Sequence, residues 1–258
     1  CGCVDMARDF NGTDQWLNST AFGLLSGSNG PFTIILWMQR DAGVPNQYLM
    51  QSIVTSGSGN QWGVLFGYVN NNVEFFASGH TGTDPRIGSS MAIADGAWHH
   101  IAYRKDASGA SNWDKFLDGT KTSISASINF TLAGSLVRSS IAAAGLGAAW
   151  FDGRLAQVGV FTSALPDAVI TAIAKGAHPL RVWAGSRAGL WEGLTSGSTE
   201  PDWSGNVLNL TVTGATMANH PPGAPPFGFD LGWVGAFTAA APGGATWPGW
   251  IQSRGGWF

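Results

Sequence analysis

A chain of 258 residues with 11% charged side chains, 37 glycines, 13 tryptophans and 14 phenylalanines is too aromatic for a disordered polymer and too rich in glycine for a helical bundle. Its net charge of −3, with 13 basic residues scattered singly, offers no cationic patch to DNA or RNA, so nucleic acid is excluded as a partner. No apolar run approaches the roughly 20 residues of a membrane-spanning helix, which predicts a soluble chain built as one large domain with appendages.

In chain order, Cys1 and Cys3 flank a single glycine, too close for an unstrained disulfide, so the body of the chain has no covalent staple. Phe10, Trp16 and Leu17 on either side of Asn11-Gly12 predict a first hairpin. Phe32 to Gln39 is an almost unbroken apolar run between Gly30-Pro31 and Arg40-Asp41, the pattern of a central strand covered on both faces. Strands follow at Tyr48 to Thr55, Trp62 to Val69 and Val73 to Ala77, with turns rich in Gly and Asn between them. From Ala97 to Arg104 the residues alternate roughly by two. A second strand, Trp113 to Leu117, runs into Asp118-Gly119, a type I′ signal because both central residues of that turn need positive φ.

Ile124 to Leu132 alternates cleanly, and Trp150 to Phe161 forms a further strand. One short helix is expected within Ser163 to Gly176, with Pro166 near its first position, Asp167 in the first turn and Gly176 past its end. Late strands at Leu190 to Leu194 and Val207 to Thr213 flank a loop rich in Ser, Gly and Asp. Regular short strands separated by turns specify an all-β sandwich or barrel over βαβ units.

Four segments in order carry a family resemblance: Phe10-Asn11-Gly12-Thr13-Asp14, Asp95-Gly96-Ala97-Trp98-His99-His100-Ile101-Ala102, Phe116-Leu117-Asp118-Gly119, and Phe151-Asp152-Gly153-Arg154-Leu155-Ala156 leading into Val160-Phe161. With the strand around Trp37, they make the chain from about residue 4 to residue 220 resemble the concanavalin A-like, laminin-G-like jelly-roll superfamily. The resemblance implies two antiparallel sheets of about six or seven strands each, packed face to face, and implies little about activity. The domain is expected over residues 1–220, followed by a Pro/Gly/Trp-rich linker and extended C-terminal arm over 221–258.

Some members of that superfamily are glycosidases, which need two carboxyl groups placed across the scissile bond. The three glutamates, Glu74, Glu192 and Glu200, are widely separated, and Glu74 has no acidic neighbour at i±2 or i±4. No nucleophile elbow, zinc-protease motif or phosphate-binding loop is present. The sequence therefore reads as non-enzymatic. His99 and His100, adjacent on a strand, point to opposite faces and cannot form one ligand pair; one is expected to pack and hydrogen-bond while the other meets solvent. His178 and His220 each precede a proline and are read as loop residues.

Calcium is the one cofactor the resemblance raises. Asn11, Asp14, Asp118 and Asp152 are its candidate oxygen donors, although each sits in a Gly turn that favours Asn and Asp for local reasons. Trp62, Trp113 and Trp150, near strand or loop ends, are candidates to stack on a sugar, whereas Trp16, Trp37 and Trp98 fit core positions of the family. The arm holds Trp233, Phe237, Trp247, Trp250 and Trp257 with almost no charge, and apolar surface of that density is expected either to fold back along the jelly roll or, the favoured reading, to dock on a neighbouring protein. Together these features lead to the expectation of a structural component of a bacteriophage virion, either a head decoration protein or a tail-associated adhesin, assembled with other subunits and as a homo-oligomer. The alternative is a secreted, extracellular lectin-like module that binds cell-surface glycans. Four Asn-x-Ser/Thr sites, at Asn11, Asn18, Asn129 and Asn209, do not decide the compartment.

Overall fold

The computed structural model describes residues 7–25, 30–41, 46–53, 61–66, 72–78, 86–87, 91–107, 111–128, 136, 138–145, 147–183, 185–193, 195–219 and 221. Among these residues, two antiparallel sheets, each of eight strands, stack as a jelly-roll sandwich. The strands are β1 (Ala7–Asn11), β2 (Trp16–Ser19), β3 (Phe32–Arg40), β4 (Gln47–Ile53), β5 (Gln61–Phe66), β6 (Val73–Ser78), β7 (Arg86–Ile87) and β8 (Trp98–Lys105), followed by β9 (Ser111–Leu117), β10 (Thr120–Ile128), β11 (Arg138–Ile141) and β12 (Asp152–Phe161). Helices α1 (Asp167–Ala174) and α2 (Pro179–Val182) precede β13 (Arg187–Trp191), β14 (Thr199–Glu200), β15 (Leu210–Thr213) and β16 (Thr216–Ala218). One sheet runs β10-β9-β8-β3-β12-β1-β16 with β13 also on β12; the other runs β14-β15-β2-β11-β4-β5-β6-β7.

The apolar run at β3 is the centre of its sheet, as its composition predicts. Ile34, Leu36 and Met38 enter the main core between the sheets, while Ile35 and Trp37 enter separate clusters on the outer face. Strand alternation produces that division. In the main core, Phe75 lies 4.8 Å from Trp113 and 6.2 Å from Trp62, centroid to centroid, and Phe32 meets Trp113 edge-on at 5.3 Å. On the outer face, Leu165, Ile170 and Ile173 from the α1 region pack on Ile35, Ala102, Phe116 and Phe161.

Asp118 and Gly119 both have positive φ, +51° and +79°, and close β9 onto β10 as the type I′ signal requires. The Asn11-Gly12 turn does something else. β1 pairs with β12 and β16 in one sheet, whereas β2 pairs with β11 and β15 in the other, so the expected hairpin is a corner between sheets. Asn11 Oδ1 accepts from Thr13 N and Asp14 N, and Gly12 N donates to Phe151 O, which swings the chain off its first sheet. Among the described residues, α1 stands in the stretch where one helix was expected, and α2 follows it. Pro166 occupies the cap position of α1, and α2 starts at Pro179 under His178, whose Nδ1 accepts from Leu180 N at 3.2 Å. A proline at a first helical position suits even a single turn.

Candidate functional site

Residues directly opposite in an antiparallel ladder share a face, so the register specifies which side chains stand together. Trp98 of β8 faces Gln39 of β3, Gln39 faces Arg154 of β12, Arg154 faces Asp9 of β1, and Asp9 faces Thr216 of β16. These five side chains form a row across five strands on the face turned away from the main core. Two residues along, His100, Trp37, Ala156 and Ala7 form a buried row that ends on the partly buried Ala218. On the other side are Asp41, Asp152 and Asn11, at the rim of the sandwich; Asn11 pairs with Asp152, and Asp41 N donates to Asp152 O.

The middle row is polar and partly open. Arg154 Nε donates to Asp9 Oδ1 at 3.2 Å and its Nη1 to Gln39 Oε1 at 2.6 Å, while Gln39 Nε2 donates to Gly96 O at 2.7 Å. The Arg154 and Asp9 side chains remain 36% and 37% exposed, so the pair is held in place yet wet. Asp9, Arg154, Met217, Ala218 and Asn219 line an open cleft of about 260 Å³. Burial first, then the neighbouring Asp41 and Asp9 carboxylates, push the Asp152 carboxyl above its ordinary value. A planar guanidinium, an amide and a carboxylate side by side present donors and acceptors at fixed spacing, which suits vicinal hydroxyl groups.

The residues singled out from sequence fall in several places. Trp62 and Trp113 are fully buried, stacked on or tilted against Phe75, and the Trp62 indole N–H donates to Leu24 O at 2.9 Å. A ring covered on both faces cannot stack on a sugar, so both belong to the core. Trp150 is half-buried at the entry to β12 and lines neither the row nor the cleft. Trp98, assigned to the core by resemblance, is only partly buried and ends the polar row. The arm residues Trp233, Phe237, Trp247, Trp250 and Trp257 lie outside the described residues.

The four calcium candidates do not make one coordination sphere. Asn11, Asp14 and Asp152 gather at one rim, but Asn11 Oδ1 is occupied by two backbone N–H groups and Asp14 Oδ1 by Asn11 Nδ2. Asp118 lies beyond β3 and β8, with Oδ1 on His100 N and Oδ2 on His99 Nδ1, both at 2.8 Å. A hard cation needs six to eight oxygens, and among the described residues no group of three His, Cys, Asp or Glu side chains is placed to hold a metal. The adjacent histidines do split between faces, but the side-chain hydrogen bond belongs to the more accessible His99. His100 is wholly buried edge-on against Trp37 at 5.3 Å, and burial drives its pKa down to about 3 against a weaker upward pull from Asp118.

None of the three glutamates opens onto the cleft. Glu200 takes both Nε and Nη2 of Arg8 and the Gly193 N–H, Glu192 faces His178 at 3.2 Å, and Glu74 is buried on β6.

The family model of the Concanavalin A-like lectin/glucanases superfamily matches residues 11–171, and the chain belongs to this family. No curated protein matches it. Among solved structures, a Bacteroides ovatus protein proposed to bind carbohydrate aligns with TM-score 0.61 and 16% identity over 84% of this chain. The chain spans only 60% of that protein. Domain 4 of AbnA, an extracellular arabinanase of Geobacillus stearothermophilus solved with arabinotriose, aligns with TM-score 0.52 and 14% identity, over 65% of this chain and 76% of its own.

Proposed function

We propose that this chain is a non-catalytic carbohydrate-binding domain that acts outside the cell, and that the Trp98–Gln39–Arg154–Asp9 row with its cleft contacts the glycan. The observation that carries the reading is the row itself: planar hydrogen-bonding groups, fixed to one another yet more than a third exposed at Arg154 and Asp9, beside a concavity of sugar size. The neighbours named above, one proposed to bind carbohydrate and one solved with an arabinose trisaccharide, support it. They support glycan binding ahead of the virion role expected from the arm, whose residues lie outside those described. The burial of Glu74, Glu192 and Glu200 supports binding without hydrolysis.

The test is a glycan screen with the full chain, with and without calcium, repeated with Arg154→Ala. The reading expects a saturable ligand whose affinity falls with the substitution and no reducing ends released from it. Binding unaffected by Arg154→Ala would remove the row from the site, and stoichiometric incorporation into particles without sugar binding would restore the assembly role.

A further inference from the structure

Among the described residues, two large hydrophobic side chains are exposed, Trp203 at 42% and Val207 at 77%, and both stand on the loop between β14 and β15. This loop lies outside residues 11–171, the stretch that matches the family model. It is also built to hold one shape. Asp202 Oδ1 accepts from Leu190 N and Ser204 N at 3.0 and 2.8 Å, and Oδ2 accepts from Ser204 Oγ and Leu208 N at 2.6 and 3.0 Å. Asn209 Oδ1 accepts from Asp202 N, and Asn206 Nδ2 donates to the Arg187 and Ala188 carbonyls of β13. Trp203 N donates to Leu190 O, which clamps the tryptophan backbone to the same strand.

Val207 adds strain. A β-branched residue at φ +59° is a backbone outlier that persists only where its surroundings over-determine it. Here the strained residue is also the most exposed large apolar side chain described, so no buried contact of its own repays the conformation. A loop that only joined two strands would need neither a displayed indole nor a strained valine.

We propose that the 201–209 loop is a second carbohydrate contact, in which the exposed Trp203 ring stacks on the C–H face of a neutral pyranose. The inference rests on the glycan-binding reading above and adds a site to it. The Asp202 carboxylate is spent on four donors, three in the loop and Leu190 N of β13, so it does not select a charged sugar. Asn206 Oδ1 and Asn209 Nδ2 take no part in the bonds that hold the loop, and they supply an acceptor and a donor for ring hydroxyls. One exposed indole in a loop of Ser and Asn offers the area of a sugar ring and falls far short of the roughly 800 Å² per partner of a protein interface. Because the loop is already ordered, little freedom is lost on binding.

The experiment uses the full chain carrying 5-fluorotryptophan, with the Trp203 resonance assigned by Trp203→Phe, titrated with cellohexaose, xylohexaose and mannohexaose. The proposal expects at least one sugar to move that resonance saturably, with affinity weakened about tenfold in Trp203→Ala and partly kept in Trp203→Phe. Urea unfolding of Trp203→Ala should remain as in the parent. If the sugars that bind leave the Trp203 resonance unmoved, or none binds, the proposal is overturned. Arg154→Ala separates the two ideas: affinity lost there and kept in Trp203→Ala sinks the loop alone, the reverse sinks the cleft alone, and no binding by the parent sinks both.

Discussion

The outer face of the β10-to-β16 sheet carries two clusters of the same chemistry, one at each end. Near α1, Arg104 pairs with Asp114, Asp167 and Asp106, Lys121 reaches Asp114 at 3.1 Å and Asp167 at 3.3 Å, and Ser123 donates to Asp114. At the other end, Arg154 pairs with Asp9 and Gln39. Asp114 is 2% exposed and Arg104 8%, against 37% and 36% for Asp9 and Arg154. Burial separates their roles. The first cluster has satisfied its charges internally and pins the start of α1 to the sheet; the second keeps hydrogen-bonding capacity turned to water, which a ligand can take over.

The sharpest way to break this comparison is Arg104→Ala, which leaves the buried Asp114 carboxylate only Lys121 and Ser123 and is expected to cost about 3 kcal/mol in urea unfolding. A loss below about 1 kcal/mol would mean that the buried cluster behaves as a surface one. The next effect is one of pH. Burial pushes the Asp114 carboxyl up, but Ser123, Arg104 and Lys121 outweigh it and hold the pKa below the ordinary value. A depressed carboxylate contributes stability that is complete above its unfolded pKa of about 3.9 and is lost as pH falls through its folded value. Unfolding midpoints should therefore drop below about pH 4, and Asp114→Asn should flatten that drop.

Arg154→Ala should cost no more than about 1 kcal/mol of stability, because an exposed pair contributes little, while glycan affinity falls. The smallest effect is expected at the rim. The Asp152 pKa is raised, so that carboxyl favours the fold most below its unfolded value of about 3.9 and loses this as pH rises through the folded value. Asp152→Asn should raise the urea midpoint slightly at pH 7 and leave it unchanged near pH 3. An equal shift at both would trace the gain to the turn and not to repulsion with Asp41 and Asp9.

What could be read from the sequence divides along the range of the interaction involved. Asp118-Gly119 was legible because a type I′ turn is specified by its own two residues. Asn11-Gly12 was legible as a turn but not as a corner, since the sheet that β2 joins is decided by β11 and β15, more than a hundred residues away. Trp62 and Trp113 looked available because they stand near strand ends, yet their faces are closed by Phe75 from a different strand. The polar row left only the alternation of Gln39, Arg154 and Asp9 with buried neighbours, and the register brings them together. The 201–209 loop showed as a run of Ser, Gly and Asp; its rigidity comes from Asp202 and Asn206 reaching β13, which no local pattern reveals.

β12 breaks register with β3 between Ala156 and Gly159, where Gln157 adopts φ +48°. Before the break β12 pairs with β1, and after it with β13. A single strand thus serves as the template on which the first described strand and a late one are both laid, each only after a long loop has closed. Folding is therefore expected to wait on β12 settling on β3, and substitutions at the bulge should lower the refolding rate, read by stopped-flow fluorescence, more than they raise the unfolding rate.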